Sequence, residues 1–271
     1  GHIIGNARHH GGDEYTVHGN INQARGENEL GTITGRLSMN EPALHQIHKR
    51  DREKAAQMRG LFLPHGGDNW LSADYRQFEF RWFAHYVNDA KINAVYENDA
   101  EADFHQIVAD MTGLPRIARF PGDGNAKQLS LGMVFGMGQG RTAAEMGLPY
   151  TKQKDKKGGE YLMPGDEAIA VFQKYHGAIP GVRDLLGSAS GVARARGYVR
   201  TVMGRHVRFP NKLGVHKAGG LVFQGTSADS LKVKLIELDD YIRSVVKGGE
   251  LKLMLSVHDE VNLSIADNKD N

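Results

Sequence analysis

Residues 251–265 read LKLMLSVHDEVNLSI, the clearest strand pattern in the chain. Apolar side chains recur at every second position on both sides of the central His-Asp-Glu, the period that is typical of β-strands. Two such runs joined by a short polar segment predict a β-hairpin with Asp259 and Glu260 at its tip. An acidic pair at a hairpin tip is most often a solvated turn, but it can also bind a metal ion.

A second carboxylate ends another short strand. Residues 70–74 (WLSAD) predict a strand, and residues 78–88 predict a helix. Asp74 lies between them, and one interpretation is that it caps the helix. The other is that Asp74 and Asp259 both end strands that are neighbours in one sheet. Mg²⁺ favours such a place, because it binds through one or two carboxylates together with substrate phosphates.

A lysine begins the next informative helix, predicted over residues 126–138. Three side chains four residues apart form one stripe along it: Lys127, Leu131 and Phe135. Gly132 and Gly136 form a neighbouring stripe, and since each glycine costs about 1 kcal/mol in a helix, the pair indicates close approach by another group. A lysine, an apolar stripe and a bare groove suit a triphosphate with a stacked base. The alternative is a lysine whose stem lies along a core helix.

Composition limits the classes of protein that fit. The chain has 271 residues and a formal net charge of +2, which excludes a uniformly basic nucleic-acid-binding surface but allows a basic cleft. It contains no cysteine, so disulfides and thiolate metal sites are excluded. No apolar run reaches the ~18 residues that a membrane span needs. We therefore expect no membrane partner.

Six blocks of the chain, in order, resemble the polymerase domain of family A DNA polymerases. Residues 74–81 (DYRQFEFR) are similar to motif A, and residues 127–136 are similar to motif B. Residues 257–260 (VHDE) have the sequence of motif C. The other three blocks, similar to segments of the fingers and of the primer–template contact, are residues 34–38, 197–210 and 224–229.

The resemblance implies an α+β fold, in which an antiparallel palm sheet carries both acids and a helical fingers subdomain lies between motifs A and C. It predicts residues 31–90 as the first part of the palm, 91–215 as the fingers and 216–271 as the second part of the palm. The polar segment 1–30 is interpreted as a remnant of the thumb or a cloning-derived extension. We expect a palm-and-fingers piece, or a sequence that lacks segments of a longer polymerase.

The implied function is template-directed DNA synthesis by a DNA-directed DNA polymerase, which transfers a nucleotidyl group from a dNTP to a primer 3′-hydroxyl. Asp74, Asp259 and the carbonyl of Tyr75 are expected to bind two Mg²⁺ ions, for which Mn²⁺ could substitute. Glu260 is expected to support this site. The alternatives are a non-catalytic fragment that binds primer–template DNA and a reverse transcriptase with relaxed template choice.

The same motifs imply the contacts to the substrates. Lys127 is expected to bind the phosphates of the incoming dNTP and to act in catalysis. His105 is expected to contact the phosphates, and Glu79 to exclude a ribose 2′-hydroxyl. The implied nucleotide-binding residues are Gln77, Glu79, His105, Lys127, Leu131 and Phe135. The residues implied to contact primer–template DNA are Arg36, Gln224 and His258. The expected location is the cytoplasm of a bacterial cell or of a virus-infected host; the sequence identifies no processivity partner.

Four positions depart from the family's pattern, one of them Arg76, which stands in place of the serine of motif A. Four residues before the motif B lysine the family commonly has an arginine that contacts phosphate, and here that position is Asp123. Arg116 or Arg119 could supply this contact, or it is absent. Leu131 stands in place of a motif B aromatic residue, and Phe135 stands in place of a tyrosine. An aliphatic side chain cannot stack on a base, so the nucleotide pocket is expected to be looser at Leu131.

Overall fold

The computed structural model describes residues 4–12, 14–24, 30–47, 52–120, 123–156, 158–246 and 248–267. Parts of the predicted N-terminal segment and of the second palm part lie outside these residues, namely 1–3, 13, 25–29, 247 and 268–271. Three positions of the predicted fingers also lie outside them: Pro121, Gly122 and Lys157.

The described strands all pair antiparallel. In chain order they are β1 (Ala7–Gly11), β2 (Glu14–Val17), β3 (Asn20–Asn22), β4 (Ser38–Asn40), β5 (Asn69–Asp74), β6 (Tyr150–Lys154), β7 (Glu160–Pro164), β8 (Tyr198–Arg200), β9 (His206–Arg208), β10 (Leu251–Val257) and β11 (Glu260–Ile265). One sheet has three strands in the order β10-β11-β5, and the other pairs are β1-β2, β3-β4, β6-β7 and β8-β9. The hairpin predicted from the alternating sequence is confirmed.

Helices make up most of the rest. They are α1 (Arg52–Arg59), α2 (Phe78–Val87), α3 (Ala90–Asn98), α4 (Phe104–Thr112), α5 (Ala126–Val134), α6 (Gln139–Glu145), α7 (Asp166–Ala178), α8 (Gly181–Arg196) and α9 (Ala218–Ser244). Short 3₁₀ turns lie at Ile4–Asn6, Leu44–Gln46, Pro210–Lys212 and Val215–Lys217. In the described part of the chain, no helix combines the length and the apolar character that crossing a membrane requires. The predicted α+β class is confirmed.

The chain divides into two compact units. The first unit comprises the described residues of Gly1–Tyr75 and Ser227–Asn271, and it contains the three-stranded sheet. The second unit, Arg76–Thr226, is mainly helical. The division falls within α9, between Thr226 and Ser227. The palm and fingers, with boundaries at residues 90 and 215, stay predictions.

Strand β11 is the centre of the three-stranded sheet, because it pairs with β10 on one side and β5 on the other. Its residues 261–264 are all buried, as expected for a central strand. At its first residue, Glu260 pairs with Val257 of β10 and with Asp74 of β5. The ends of all three strands therefore meet beside the hairpin tip.

An aromatic cluster organises the second unit. The ring of Phe83 on α2 packs edge-on against Phe104 of α4 at 5.3 Å and against Phe223 of α9 at 5.6 Å between centroids. All three rings are buried. Edge-to-face packing of this kind adds about 0.5–1.5 kcal/mol per pair beyond the area buried. The cluster fixes α2 and α4 against each other, and these helices carry Glu79 and His105.

The helix predicted over residues 126–138 ends earlier than the sequence indicated. α5 stops at Val134, and a new helix, α6, begins at Gln139. The cause is Gly136, which has φ +71°, a left-handed conformation that glycine adopts without steric cost and that ends a helix. Phe135 thus lies at the end of α5 rather than inside a continuous helix.

The protein itself fills the predicted glycine groove. A Cβ atom on Gly132 would lie 2.7 Å from the side chain of Thr142, and a Cβ atom on Gly136 would lie 2.5 Å from the carbonyl oxygen of His216. The inference that another group approaches these glycines is confirmed. The inference of a bare groove open to a nucleotide is wrong, because the approaching groups belong to α6 and to the turn before α9.

Candidate active site

Two carboxylates lie at the same end of the three-stranded sheet. Asp74 is the last residue of β5, and Asp259 is the last residue of the turn between β10 and β11. The backbone N–H of Tyr75 donates to the carbonyl oxygen of Asp259 at 3.2 Å, which ties the two segments together. The N-cap of α2 is Gln77. The interpretation of Asp74 as a helix cap is therefore wrong, and the two acids belong to neighbouring segments.

The hairpin tip has a strained backbone. His258 has φ +59°, a left-handed conformation that residues with a Cβ atom adopt rarely. Such conformations persist only where the surrounding structure enforces them, and they concentrate at functional sites. Here the tip has only two residues between paired Val257 and Glu260, so the turn holds Asp259 in one backbone position.

Polar groups surround the acids within the first unit. The Ser72 hydroxyl donates to Oε1 of Glu260 at 2.9 Å, which places this carboxylate along β5. Burial lowers the pKa of Arg36, and the negative charge of Asp259 opposes that effect. The Arg36 guanidinium therefore lies within electrostatic range of Asp259.

His45 is a site residue that the sequence did not reveal. Its Nε2 donates to the carbonyl oxygen of Ser256 at 2.8 Å, and its ring lies 5.9 Å from that of His258. Burial lowers the pKa of His45, the bond to Ser256 opposes this, and the charge of His258 lowers it further. The contact joins residues 211 positions apart, so no local pattern marks His45.

The oxygen atoms at this site suit Mg²⁺. Across the described residues, no group of three or more His, Cys, Asp or Glu side chains could hold a metal ion by itself. Mg²⁺ does not need such a cage, because it commonly keeps several waters and binds through one or two carboxylates plus phosphates. Asp74, Asp259 and the Tyr75 carbonyl supply hard oxygen ligands of this kind, so the residues present fit the metal.

In the second unit, His105 occupies a buried position on α4. It is only 6% exposed, and its ring packs edge-on against Phe80 at 4.6 Å. Burial is the main cause that lowers its pKa to about 4; Asp103 opposes the shift, and the charges of Lys127 and Arg116 add to it. His105 is therefore neutral at pH 7. Its Nδ1 is buried without a hydrogen-bond partner among the described residues.

A hydrogen-bond network fixes the start of α4. The Asp103 carboxylate caps this helix, accepting the His105 backbone N–H at 2.8 Å. It also accepts the Gln77 amide at 2.6 Å and Nε of Arg116 at 2.7 Å. Burial acts to raise the pKa of Asp103, but these hydrogen bonds outweigh it and hold the pKa below its ordinary value. The carboxylate therefore stays ionised within the network.

Three comparisons with known proteins agree with the motifs. The family model described as DNA polymerase family A matches residues 7–271. The chain belongs to this family. The DNA polymerase DpoZ of Salmonella phage PMBT28 is 46% identical over 281 residues, covering 100% of this chain and 44% of that protein. The DNA polymerase I of Rhizobium leguminosarum is 28% identical, covering 87% of this chain and 22% of that protein.

A solved structure supports the same family. The POL domain of Pol1 from M. smegmatis, in complex with DNA primer-template and dNTP, matches with a TM-score of 0.74 and 26% identity. The match covers 93% of this chain and 42% of that one. The chain therefore spans less than half the length of these family A relatives. The α+β architecture with an antiparallel sheet and a helical unit is the fold of a family A polymerase domain.

The remaining motif residues occupy distinct places. Lys127 is exposed on the first turn of α5, and Glu79 is half-buried on the first turn of α2. Leu131 is half-buried and packs against the core of the second unit. The ring of Phe135 meets that of Phe80 edge-on at 6.4 Å. Gln224 lies half-buried on α9 within the second unit.

The structure groups the predicted residues in two sets. Within the first unit it brings together the acids and their neighbours Tyr75, Arg36, His258 and Glu260. Within the second unit it brings His105 into electrostatic range of Lys127. It also shows a contact of Gln77 that the motif did not indicate, since the Oε1 of Gln77 accepts the Phe104 N–H at 2.8 Å. Gln77 therefore links the start of α2 to the start of α4 by hydrogen bonds.

Proposed function

We propose that this chain carries the nucleotidyl-transfer site of a DNA polymerase, which extends a primer 3′-hydroxyl with dNTPs selected by a template. The observation that carries the proposal is the hydrogen bond from Tyr75 to Asp259, which joins the backbones at the ends of motifs A and C, where Asp74 and Asp259 lie. Family membership supports the reaction class. The Pol1 structure holds primer-template DNA and dNTP, which supports the same partners here.

In this proposal Asp74, Asp259 and the Tyr75 carbonyl hold two Mg²⁺ ions. When bound, these ions lower the pKa of the primer 3′-hydroxyl and neutralise charge on the phosphate oxygens, and Mn²⁺ is expected to substitute. The protein's part is to hold its oxygen atoms in place. The backbone bond of Tyr75 and the strained tip at His258 do this, and Glu260, anchored by Ser72, supports the hairpin.

The second unit supplies the groups that bind the incoming nucleotide. Lys127 is exposed at the start of α5, where a charged amine can reach a phosphate. His105 is neutral at pH 7, so it would contribute a hydrogen bond and no charge. Glu79 would exclude the ribose 2′-hydroxyl. Phe135 contacts Phe80, the residue next to Glu79, so the proposed base-stacking and sugar-gating groups are close within this unit.

Three residues are proposed to contact primer–template DNA. Arg36 and His258 belong to the first unit and lie near Asp259. Gln224 belongs to the second unit. An amide or an imidazole can hydrogen-bond to base edges or sugars, and a guanidinium can bind phosphate or a base edge, so all three residue types suit nucleic-acid contacts.

Extension of a labelled primer–template with dNTPs and Mg²⁺ tests the proposal. We expect addition of the complementary nucleotide by the wild-type chain. The Asp259→Asn variant should lose at least about 10³-fold in rate, because a metal ligand is lost. Asp240→Asn, which neutralises an exposed acid of α9, is the matched control and should extend normally.

Two outcomes would replace the proposal with an alternative. A folded wild-type chain that binds primer–template but adds no nucleotide is a non-catalytic binding fragment. A chain that copies an RNA template as fast as a DNA template is a polymerase with relaxed template choice. Equal extension by the wild-type and Asp259→Asn proteins would contradict the assigned site.

A further inference from the structure

The position four residues before Lys127 carries no cation. It is Asp123, whose carboxylate accepts the backbone N–H of Phe120 at 3.1 Å and so closes a turn. A carboxylate repels phosphate, and this one is held by its own segment. A second cation that acts on a triphosphate together with Lys127 would therefore have to be a residue other than Asp123.

Two arginines, Arg116 and Arg119, lie between α4 and α5, and they make different contacts. The guanidinium of Arg119 lies over the ring of Phe120, 5.5 Å from its centroid. Arg116 is held in a different way: the backbone N–H of Lys127 donates to its carbonyl oxygen at 3.2 Å. This bond fixes the backbone of Arg116 beside the first turn of the helix that carries Lys127.

We propose that Arg116 is a second phosphate-binding cation of the nucleotide site, and that Asp103 is the positioning residue that orients it. The proposal rests on the proposed function, in which Lys127 and His105 contact the triphosphate. Arg116 would take the place of a cation at Asp123.

The geometry of the Arg116–Asp103 pair leaves donors for a ligand. Nε and Nη2 of Arg116 lie 2.7 and 2.5 Å from Oδ2 of Asp103. A guanidinium has five N–H donors in a fixed plane, so the Nη1 group and one N–H of Nη2 remain. The Arg116 side chain is 40% exposed, so part of it is accessible to solvent. A planar fork of donors matches the oxygens of a phosphate.

The Asp103 carboxylate accepts hydrogen bonds from several groups, and these reduce its repulsion of an anion. Besides Arg116 it accepts the Gln77 amide and the N-terminal N–H groups of α4. Positive charge and helix N–H groups therefore compensate its negative charge locally. Asp103 also links Arg116 to His105, because one carboxylate receives the His105 N–H on Oδ1 and the guanidinium on Oδ2.

The surroundings of His105 provide an independent observation. Arg116 and Lys127 both lower the pKa of His105, so both cations lie within electrostatic range of one imidazole. This imidazole is more than nine-tenths buried, and its Nδ1 has no hydrogen-bond partner among the described residues. Two cations therefore lie within electrostatic range of one buried imidazole that has a ring nitrogen unpartnered within the described part of the chain. An anion is the ligand that this combination favours.

The test measures binding of dNTP without turnover, on a primer–template whose primer ends in a dideoxynucleotide. Arg116→Ala should weaken dNTP affinity by about 10- to 100-fold, the loss expected for one charge-assisted bidentate contact. Arg119→Ala, the matched control, should stay within about twofold, because its guanidinium lies over Phe120. Inorganic tripolyphosphate, as a competitor, should lose affinity for Arg116→Ala in the same proportion.

A double variant separates direct binding from simple release of Asp103. Removing Arg116 leaves the Asp103 carboxylate without its cation, and this carboxylate alone could repel phosphate. The Asp103→Asn/Arg116→Ala double variant should therefore remain weak if Arg116 binds phosphate directly. Asp103→Asn alone should weaken dNTP affinity by about threefold to tenfold, and the affinity for the corresponding nucleoside should not change. Melting temperatures of all variants identify any that fail to fold.

The outcomes are distinct. Equal affinity of the Arg116→Ala and Arg119→Ala variants, or wild-type affinity of the double variant, overturns the assignment of Arg116 and leaves the proposed function intact. If the folded wild-type chain binds neither dNTP nor tripolyphosphate, the proposed function itself fails, and the inference fails with it.

Discussion

The two groups of candidate site residues, one within each unit, are held in place in different ways. The acids of the first unit are held by the backbone: Asp74 ends a strand, Asp259 ends a two-residue turn, and Tyr75 joins them by a main-chain bond. The residues of the second unit that are proposed to bind phosphate are held by side chains, with Asp103 contacting both Gln77 and Arg116. Because strand pairing sets the positions of the acids, we expect them to change little when a neighbouring side chain is substituted. Positions set by side-chain hydrogen bonds are expected to depend on one another.

The largest effect should come from the acids. Asp74→Ala and Asp259→Ala should each reduce extension by at least about 10³-fold, and the double variant should lose little more, because both residues are proposed to serve one metal site. The fold should persist, since the backbone holds these positions. Rates from single-turnover extension, with melting curves for each variant, check both statements. A double variant whose loss equals the product of the single losses would contradict a shared site.

The glycine that ends α5 should matter for stability. Gly136→Ala places a Cβ atom at φ +71° and 2.5 Å from a backbone oxygen, so we expect a loss of about 2–4 kcal/mol in the free energy of unfolding. Gly138→Ala is the matched control, because nothing lies within 4 Å of its Cβ position. Denaturant unfolding of both variants measures the difference. Equal stability would show that the left-handed turn at Gly136 is not required.

Two double-mutant cycles on the free energy of unfolding measure how strongly the hydrogen-bonded side chains of each unit depend on one another. Gln77 and Asp103 should couple by about 1.5 kcal/mol, because their bond is partly buried and one partner is charged. Ser72 and Glu260, whose bond is exposed, should couple by less than about 0.5 kcal/mol. Urea unfolding of the single and double alanine variants gives both couplings. Similar values for the two pairs would remove the distinction between the two regions.

The smallest effect concerns pH. The pKa of His105 is lowered from its ordinary value to about 4, so the unfolded chain takes up a proton at higher pH than the folded chain does. The contribution of His105 to the free energy of unfolding is therefore fully present above pH 6.5 and is lost as pH falls towards 4. Allowing for solvent screening, we expect this loss to be about 1 kcal/mol larger in wild type than in His105→Asn. Unfolding measured at pH 7 and pH 4.5 provides the comparison; parallel pH profiles would contradict it.

Local patterns predicted the parts of the fold that local chemistry determines. The alternating apolar residues of 251–265 predicted the hairpin. The alternation stops at the polar segment between the two strands, so the same pattern predicted that Asp259 lies in the turn. The end of α5 was not predicted correctly. It depends on the left-handed Gly136 and on His216, a residue 80 positions away in the chain. The helical periodicity of a sequence reflects only neighbouring residues, so it cannot indicate a contact between residues this far apart.

For the candidate site residues too, the sequence predicted some features and could not predict others. Motifs predicted which residue types belong to it, and the strand pattern predicted that the two acids are neighbours. The bonds of Asp103 with Gln77 and Arg116 span 26 and 13 residues, and that of His45 spans 211. Their partners lie on other elements, so they become visible only when the helices and strands are packed. The sequence could not choose between Arg116 and Arg119 for the same reason.

The role of the strand-end carboxylates can be measured by single-nucleotide incorporation at graded Mg²⁺ concentrations, with the wild-type and Asp259→Asn proteins on one primer–template. We expect that wild type adds the complementary nucleotide only when Mg²⁺ is present, and that this addition depends on Asp259. We also expect that Asp259→Asn, although folded and able to bind the same DNA, adds almost none at any Mg²⁺ concentration. Incorporation that does not depend on Mg²⁺, or that is equal in the two proteins, would contradict the claim that these strand-end carboxylates carry the chemistry.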